Sequence, residues 1–239
     1  MVKGFRFAGK SSKEFGIYIS GQNTFNSPEK DIEEITIPGK NGTLVLSQKR
    51  YKNISLTYPA FIRTKFAEQA SAARAWLLSA EGYQRLEDDY DSEIFRLACF
   101  SGPIDFDMRF MNYSGETNLT FNCKPQRFLK SGEETLVIEN GETIKNEWQE
   151  AKPLIFVYGS GTGVLHVGDV SVEIKEITDQ IILDCELLNA YRQVADGAPE
   201  NMNGAIYAPD FPTLKSGENL VTWTGDIAGV SMMPRWWKV

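Results

Sequence analysis

Phe121-Asn122-Cys123-Lys124-Pro125-Gln126-Arg127-Phe128 is the stretch at which this chain changes character. Before it lies a mixed segment that contains the one strongly periodic helix. After it, short extended segments and turns run almost to the end. Charge changes at the same place. Residues 1–130 hold 18 Lys and Arg against 15 Asp and Glu, a net of +3, whereas residues 131–239 hold 7 against 17, a net of −10. Pro125 fixes one φ and keeps Lys124 out of the helical region, which suits an extended, semi-rigid crossing. The stretch therefore reads as the joint between two modules, 1–130 and 131–239.

The 239 residues suit one large or two modest domains, and a hydrophobic content of 42% supplies real cores. The 24% of charged residues are mixed in sign, unlike a disordered tail. No apolar run approaches the roughly 20 residues of a membrane-crossing helix. The opening Met1-Val2-Lys3-Gly4-Phe5-Arg6-Phe7 alternates at once and lacks a signal-peptide core, so folding in a cytoplasm is expected. Cys99, Cys123 and Cys185 are odd in number and far apart, with no CxxC pair, which points to reduced, buried thiols. A pI near 5.0 argues against dedicated nucleic-acid binding, which needs clustered cations to displace counterions.

Along the first module, residues 3–8 and 15–20 read as strands by alternation. Ile35-Thr36-Ile37, the turn Pro38-Gly39-Lys40-Asn41-Gly42 and Thr43-Leu44-Val45-Leu46 make a strong hairpin signal, because Pro presets φ and Asn-Gly tolerates positive φ. Residues 51–62 are extended, with an interruption expected at Pro59. Ile62, Phe66, Ala70, Ala73, Leu77 and Ala80 recur at steps of three and four, predicting a helix over 65–81 with Thr64 as its cap and Gly82 as its stop. Strands are expected at 83–86 and 94–100, joined by an acidic turn over 87–93, and at 104–110 and 117–123. In the second module, Pro153-Leu154-Ile155-Phe156-Val157-Tyr158 is a strand that is expected to turn at Gly159-Ser160-Gly161-Thr162-Gly163. Val164-Leu165-His166-Val167 then pairs through Gly168-Asp169 with residues 170–174. A Thr-Asp turn precedes 181–184, and 218–223 is a further strand. The fold class expected is mainly β: an α+β N-terminal domain, a β-sandwich with one helix and a hairpin arm, followed by a C-terminal β-sandwich.

The search for chemistry returns no catalytic, metal or cofactor residues. His166 is the single histidine, flanked by strand residues, with no Ser-His-Asp or Cys-His arrangement around it. The run 159–163 lacks the Gly-Lys-Ser/Thr and following helix of a phosphate cradle. The acidic run 87–93 lacks the glycine of an EF-hand loop and reads as a solvated turn. Trp223, Trp236 and Trp237 cluster late in the chain and offer either core packing or a platform for sugar rings. A scaffold is favoured over an enzyme.

Phe15-Gly16-Ile17, the 37–44 turn, Tyr51-Lys52-Asn53, Ala75-Trp76-Leu77 at the end of the helix and Lys124-Pro125-Gln126-Arg127-Phe128 together resemble the distal tail protein (Dit) family of long-tailed, non-contractile bacteriophages. Asn140-Gly141-Glu142-Thr143, Lys152-Pro153-Leu154-Ile155, Asn189-Ala190-Tyr191, Phe211-Pro212-Thr213-Leu214 and Met233-Pro234-Arg235-Trp236-Trp237 resemble that family's galectin-like domain. The resemblance implies a homohexameric ring at the virion tail tip, assembled in the host cytoplasm. The ring would join the major tail tube protein to the tail-associated baseplate or fibre protein, with the tape measure protein ending near its lumen. It would form through the N-terminal domain, with the galectin-like sandwich facing outward in a short form that has no large insertion after Ile155. A closed ring needs one patch to meet a different patch on the next subunit. The hairpin residues Ile35, Ile37, Pro38, Asn41 and Leu44 are the expected interface, and the Ala-rich helix face is the second candidate. The alternative is a carbohydrate-binding adhesion module that uses Trp223, Trp236 and Trp237.

Overall fold

The computed structural model describes residues 2–21, 26–109, 113–194 and 197–239. Contacts among them separate the chain into two compact units, Met1–Arg127 and Phe128–Lys238.

The first unit contains β1 (Phe5–Phe7), β2 (Lys10–Ser11), β3 (Ile17–Ile19), β4 (Lys30–Thr36), β5 (Thr43–Tyr51), β6 (Ile54–Ile62), α1 (Phe66–Ser79), β7 (Gln84–Asp88), β8 (Ile94–Cys99), β9 (Asp107–Arg109) and β10 (Ser114–Cys123). An antiparallel sheet runs β2-β1-β7-β8-β10-β6-β3, with β9 added to β10. A bridge between Lys3 and Ile19 ties the start of β1 to β3. The sheet therefore rolls until its walls face each other across one core. Strict alternation in β6 and β10 sends Leu56, Tyr58, Ala60, Leu119, Phe121 and Cys123 inward, with Phe121 opposite Leu56 and Leu119 opposite Tyr58. Phe121 is fully buried, with ring centroids 5.1 Å from Phe7 and from Phe100 and 5.5 Å from Phe5. From α1, Phe66, Ala70, Ala73, Trp76 and Leu77 enter this core, and Trp76 stacks on Phe15 at 4.3 Å.

Local signals differ from the sequence reading in several places. The helix predicted over 65–81 occupies Phe66–Ser79. Thr64 does not cap it. Lys65 stands at the N-cap in the left-handed region and makes no side-chain cap bond. The helix ends one turn before Gly82, because Ala80 already leaves in extended geometry. Pro59 does not interrupt β6. It lies opposite Asn118, and its carbonyl accepts from Ser20 N–H at 2.8 Å. The strand predicted over 104–110 is confined to Asp107–Arg109, and residues 110–112 lie outside the described residues. Two acids of the 87–93 turn are structural as well as solvated. Asp88 accepts from Tyr58 Oη at 2.6 Å, and Asp89 accepts from Gly4 N–H at 2.8 Å and Lys13 Nζ at 2.7 Å.

The second unit contains β12 (Leu136–Ile138), β13 (Glu142–Asn146), β14 (Leu154–Val167), β15 (Val170–Asp184), β16 (Asn189–Arg192), β17 (Glu200–Asn201), β18 (Ile206–Tyr207), β19 (Gly217–Met233) and β20 (Trp237–Lys238), preceded by β11 (Arg127–Leu129). The order is β12-β19-β14-β15-β16-β17, with β13 on β19 and β18 on β15. β14, β15 and β19 are 14, 15 and 17 residues long and pair side by side over most of their length. β13 pairs with the first half of β19 and β12 with its second half, and residues from both halves share one apolar cluster.

The run 159–163 is therefore not the expected hairpin turn. It lies inside β14, where the strand's pairing with β15 and β19 slips. The glycines answer to close backbone approach. A Cβ on Gly159 would stand 2.3 Å from Asp226 O, and one on Gly163 would stand 2.7 Å from Ile227 Cγ1. The expected Thr-Asp turn is likewise a kink within β15, with Asp179 at φ 70°.

Asp184, at the end of β15, is 6% exposed. It accepts Arg235 Nη1 at 2.8 Å and Nη2 at 3.1 Å, and the Glu186 and Leu187 N–H groups at 3.0 and 3.1 Å. Burial pushes its carboxyl up, but these bonds outweigh burial and hold it below its ordinary value. A depressed folded-state pKa gives stability that is complete above about pH 4 and is lost as pH falls through the folded value. Asp184→Asn is expected to cost about 2–3 kcal/mol at pH 7, because half-buried Arg235 loses its counter-charge. Thermal melts between neutral and acid pH should show a smaller acid-side loss in the variant than in the parent. An equal loss in both would refute this assignment.

Candidate interaction site

β4 and β5 form a two-stranded sheet of their own, separate from the rolled sheet. Ile35 lies opposite Leu44, Glu33 opposite Leu46, Glu34 opposite Val45 and Ile32 opposite Ser47. The tip is the Pro38–Gly42 segment. Lys40 N–H donates to Ile37 O at 3.1 Å, and Gly39 and Gly42 both sit at φ 81°. Cross-strand partners share a face. One face therefore carries Ile35, Leu44 and Leu46, and the other carries Ile32 and Val45.

Both faces are bare. Ile32, Ile35, Ile37, Leu44, Val45 and Leu46 are all between 37% and 54% exposed. An isolated two-stranded hairpin is marginal in water, and neither face of this one belongs to a buried core. Its root is firmer. Lys52 N–H donates to Glu29 O at 2.9 Å, Arg50 Nε meets Asp31 Oδ2 at 2.7 Å and Lys52 Nζ meets Glu29 Oε2 at 3.5 Å. These exposed pairs contribute little stability but fix where the arm leaves the unit. Pairing slips between Lys30 and Ile32, where Lys49 takes φ 53°, and such bulges re-aim a strand.

The structure thus brings all five predicted interface residues to one end of the arm. Ile35 and Leu44 face each other, and Pro38 and Asn41 lie in the exposed tip; Ile37 adjoins them. Ile32, Val45 and Leu46 were not singled out by sequence. The signal was available, since Leu44-Val45-Leu46 is apolar on both faces, a pattern that requires cover on both sides. The alanines of the second candidate, the helix, divide: Ala70 and Ala73 are inside the core of their own unit, while Ala67, Ala72 and Ala75 are exposed.

Trp223 lies in β19 opposite Leu165, while Trp236 and Trp237 lie beyond the end of that strand. All three are half-buried against the apolar cluster of the second unit, and Trp237 Nε1 donates to Glu150 O at 2.9 Å. His166 Nδ1 is 2.7 Å from Ser171 Oγ on the neighbouring strand. Burial pushes the Cys123 and Cys185 thiols up to about 12, so neither is a ready nucleophile. Among the described residues, no group of three or more His, Cys, Asp or Glu is placed to hold a metal ion, and no helix is long and apolar enough to cross a membrane.

No family profile and no curated protein sequence matches the chain. Solved structures do. The Dit protein (gp 19.1) of phage SPP1, described as a paradigm of the hub adsorption apparatus in phages that infect Gram-positive hosts, superposes with a TM-score of 0.77 over 97% of both chains at 11% identity. The chain has a Dit-like fold. A chain of the phage P2 baseplate in its activated conformation with Ca matches at TM-score 0.55 and 8% identity over 97% of each chain. Its counterpart with Sr matches at 0.55 and 9%, over 97% of this chain and 98% of that one. So low an identity means that the Dit-like fold persists here through strand order and inward-outward alternation, with most side chains replaced.

Proposed function

We propose that this chain is the structural hub subunit of a long, non-contractile phage tail tip. It forms a homohexameric ring through the Met1–Arg127 unit, and the Phe128–Lys238 sandwich faces outward. The observation that carries the reading is the arm, which is apolar on both faces and uncovered among the described residues of its own chain. A heterologous ring supplies that cover, each arm lying against the next subunit, with Ile35, Ile37, Pro38, Asn41 and Leu44 in the contact. The likeness to a hub protein and to baseplate chains supports the same role. In that place the ring joins the major tail tube protein to the baseplate or fibre protein, near the end of the tape measure protein, within the virion. The role is scaffolding, not catalysis. The packing of Trp223, Trp236 and Trp237 against the core of their own unit favours a structural part for them over a sugar platform. The net −10 of residues 131–239 discourages non-specific adhesion of an outward module.

Light scattering on the size-separated full chain, with negative-stain imaging, is expected to show six-subunit rings. A fragment of residues 1–130 should retain them, and a fragment of residues 131–239 should stay monomeric. A chain that remains monomeric at high concentration, both alone and with the tail tube protein, would sink the proposal. Oligomers of the second fragment without the first would reverse the two roles.

A further inference from the structure

Arg96, on the inward face of β8, is 6% exposed, and its Nη1 is shut off from solvent with no hydrogen-bond partner among the described residues. Arg127 Nε is in the same condition, although Arg127 Nη2 donates to Asn26 O at 2.5 Å. The two belong together. Cys123 lies opposite Ala98 and Lys124 N–H donates to Leu97 O at 2.8 Å, so the chain leaving β10 runs back along β8 and carries Arg127 towards the Arg96 end. Their charges sense each other. Burial lowers the Arg96 pKa, and the neighbouring Arg127 cation lowers it further.

Asp88, the carboxylate whose charge Arg96 senses, is already engaged. Asp88 Oδ2 accepts from Tyr58 Oη at 2.6 Å, and Oδ1 accepts from Tyr90 and Asp91 N–H at 2.9 and 3.2 Å. Arg96 therefore keeps a buried Nη1 donor unspent beside a second guanidinium whose Nε is also unspent, and buried charge without a partner is costly. Gln126 Oε1 is also shut off from solvent and unpartnered, so the same stretch lacks a donor as well as an acceptor.

We propose that Arg96 and Arg127 form a site for one small oxyanion of the phosphate class within the Met1–Arg127 unit. The planar forks of two arginines match tetrahedral oxyanions better than a spherical halide. Hydrogen phosphate answers both demands, because its charged oxygens accept from the guanidiniums while its P–OH donates to Gln126. Sulfate at neutral pH has no such proton and binds more weakly.

The test is the melting temperature of the full chain, titrated with inorganic phosphate at constant ionic strength and neutral pH. A saturable rise of about 4 °C or more is expected for the first unit's transition at about 20 mM phosphate, with a smaller rise in sulfate. Arg96→Met should abolish the rise, and it should melt no lower than the parent without phosphate, since an apolar replacement removes the buried charge. Isothermal calorimetry on the parent should find one site per chain, lost in Arg127→Gln, which keeps the proposal testable if Arg96→Met fails to fold. A parent whose melting ignores phosphate and gives no binding heat would mean that internal waters alone satisfy these groups, and it would overturn the proposal. So would a variant that responds as the parent does.

Discussion

Exchanging Ile35 for lysine and Leu44 for glutamate together is expected to weaken self-association by about 1000-fold, while the melting temperature of the full chain changes by no more than about 2 °C. The two side chains lie opposite each other on one face of the arm and are 37% and 45% exposed. Covering the rest of each in a ring contact contributes roughly 1–2 kcal/mol, and burying a charge pair there adds a desolvation cost of similar or larger size. About 4 kcal/mol in total corresponds to three decades in affinity. The fold is spared for two reasons. Neither residue belongs to a buried core, and opposite charges directly across the strands keep the hairpin paired. Size-separated light scattering reads the association, and calorimetry reads the fold. Rings that persist at parental concentrations in the double variant would remove the arm from the interface. A conservative Ile35→Val, Leu44→Ile pair should keep them.

Phe121→Ala is expected to cost the first unit about 3–5 kcal/mol, lowering its melting transition by about 10–15 °C. Phe121 is the ring on which Phe5, Phe7, Tyr58 and Phe100 converge, all with centroids within 5.9 Å. Removing it leaves a void that four aromatic rings from three strands or their flanks cannot close without breaking their own alignment. Phe121→Leu should cost less than half as much. In calorimetry or urea melts, the transition of the Phe128–Lys238 unit should stay where it is. A loss below about 1 kcal/mol would show that this core collapses around the gap.

These two residues illustrate what could be read in advance. Phe121 sits in a run whose alternation is strict from Ser114 to Cys123, and its inward direction follows from period two alone. The hairpin was equally legible, since Pro38-Gly39 and Asn41-Gly42 admit few backbone paths between two β-branched runs. The mainly β class and the single helix follow from the same local signals. The helix cap did not, because Thr64 looked like a capping residue while the chain entered the helix through a left-handed Lys65. The run 159–163 is ambiguous for a related reason. Glycines serve a tight turn and a sharply bent strand equally well, and the distinction rests on Asp226 and Ile227, more than sixty residues away.

What the residues settled unaided were periodicity, turn chemistry and the apolar content of each strand, because all three depend on neighbours within a few positions. What had to await folding were the partners across distance. These include the meeting of Asp184 with Arg235 51 residues later, the unspent donors of Arg96 and Arg127, and the exposure of apolar residues on both faces of the arm. Burial and pairing belong to whichever remote strand arrives, and no local pattern of side chains reports its arrival.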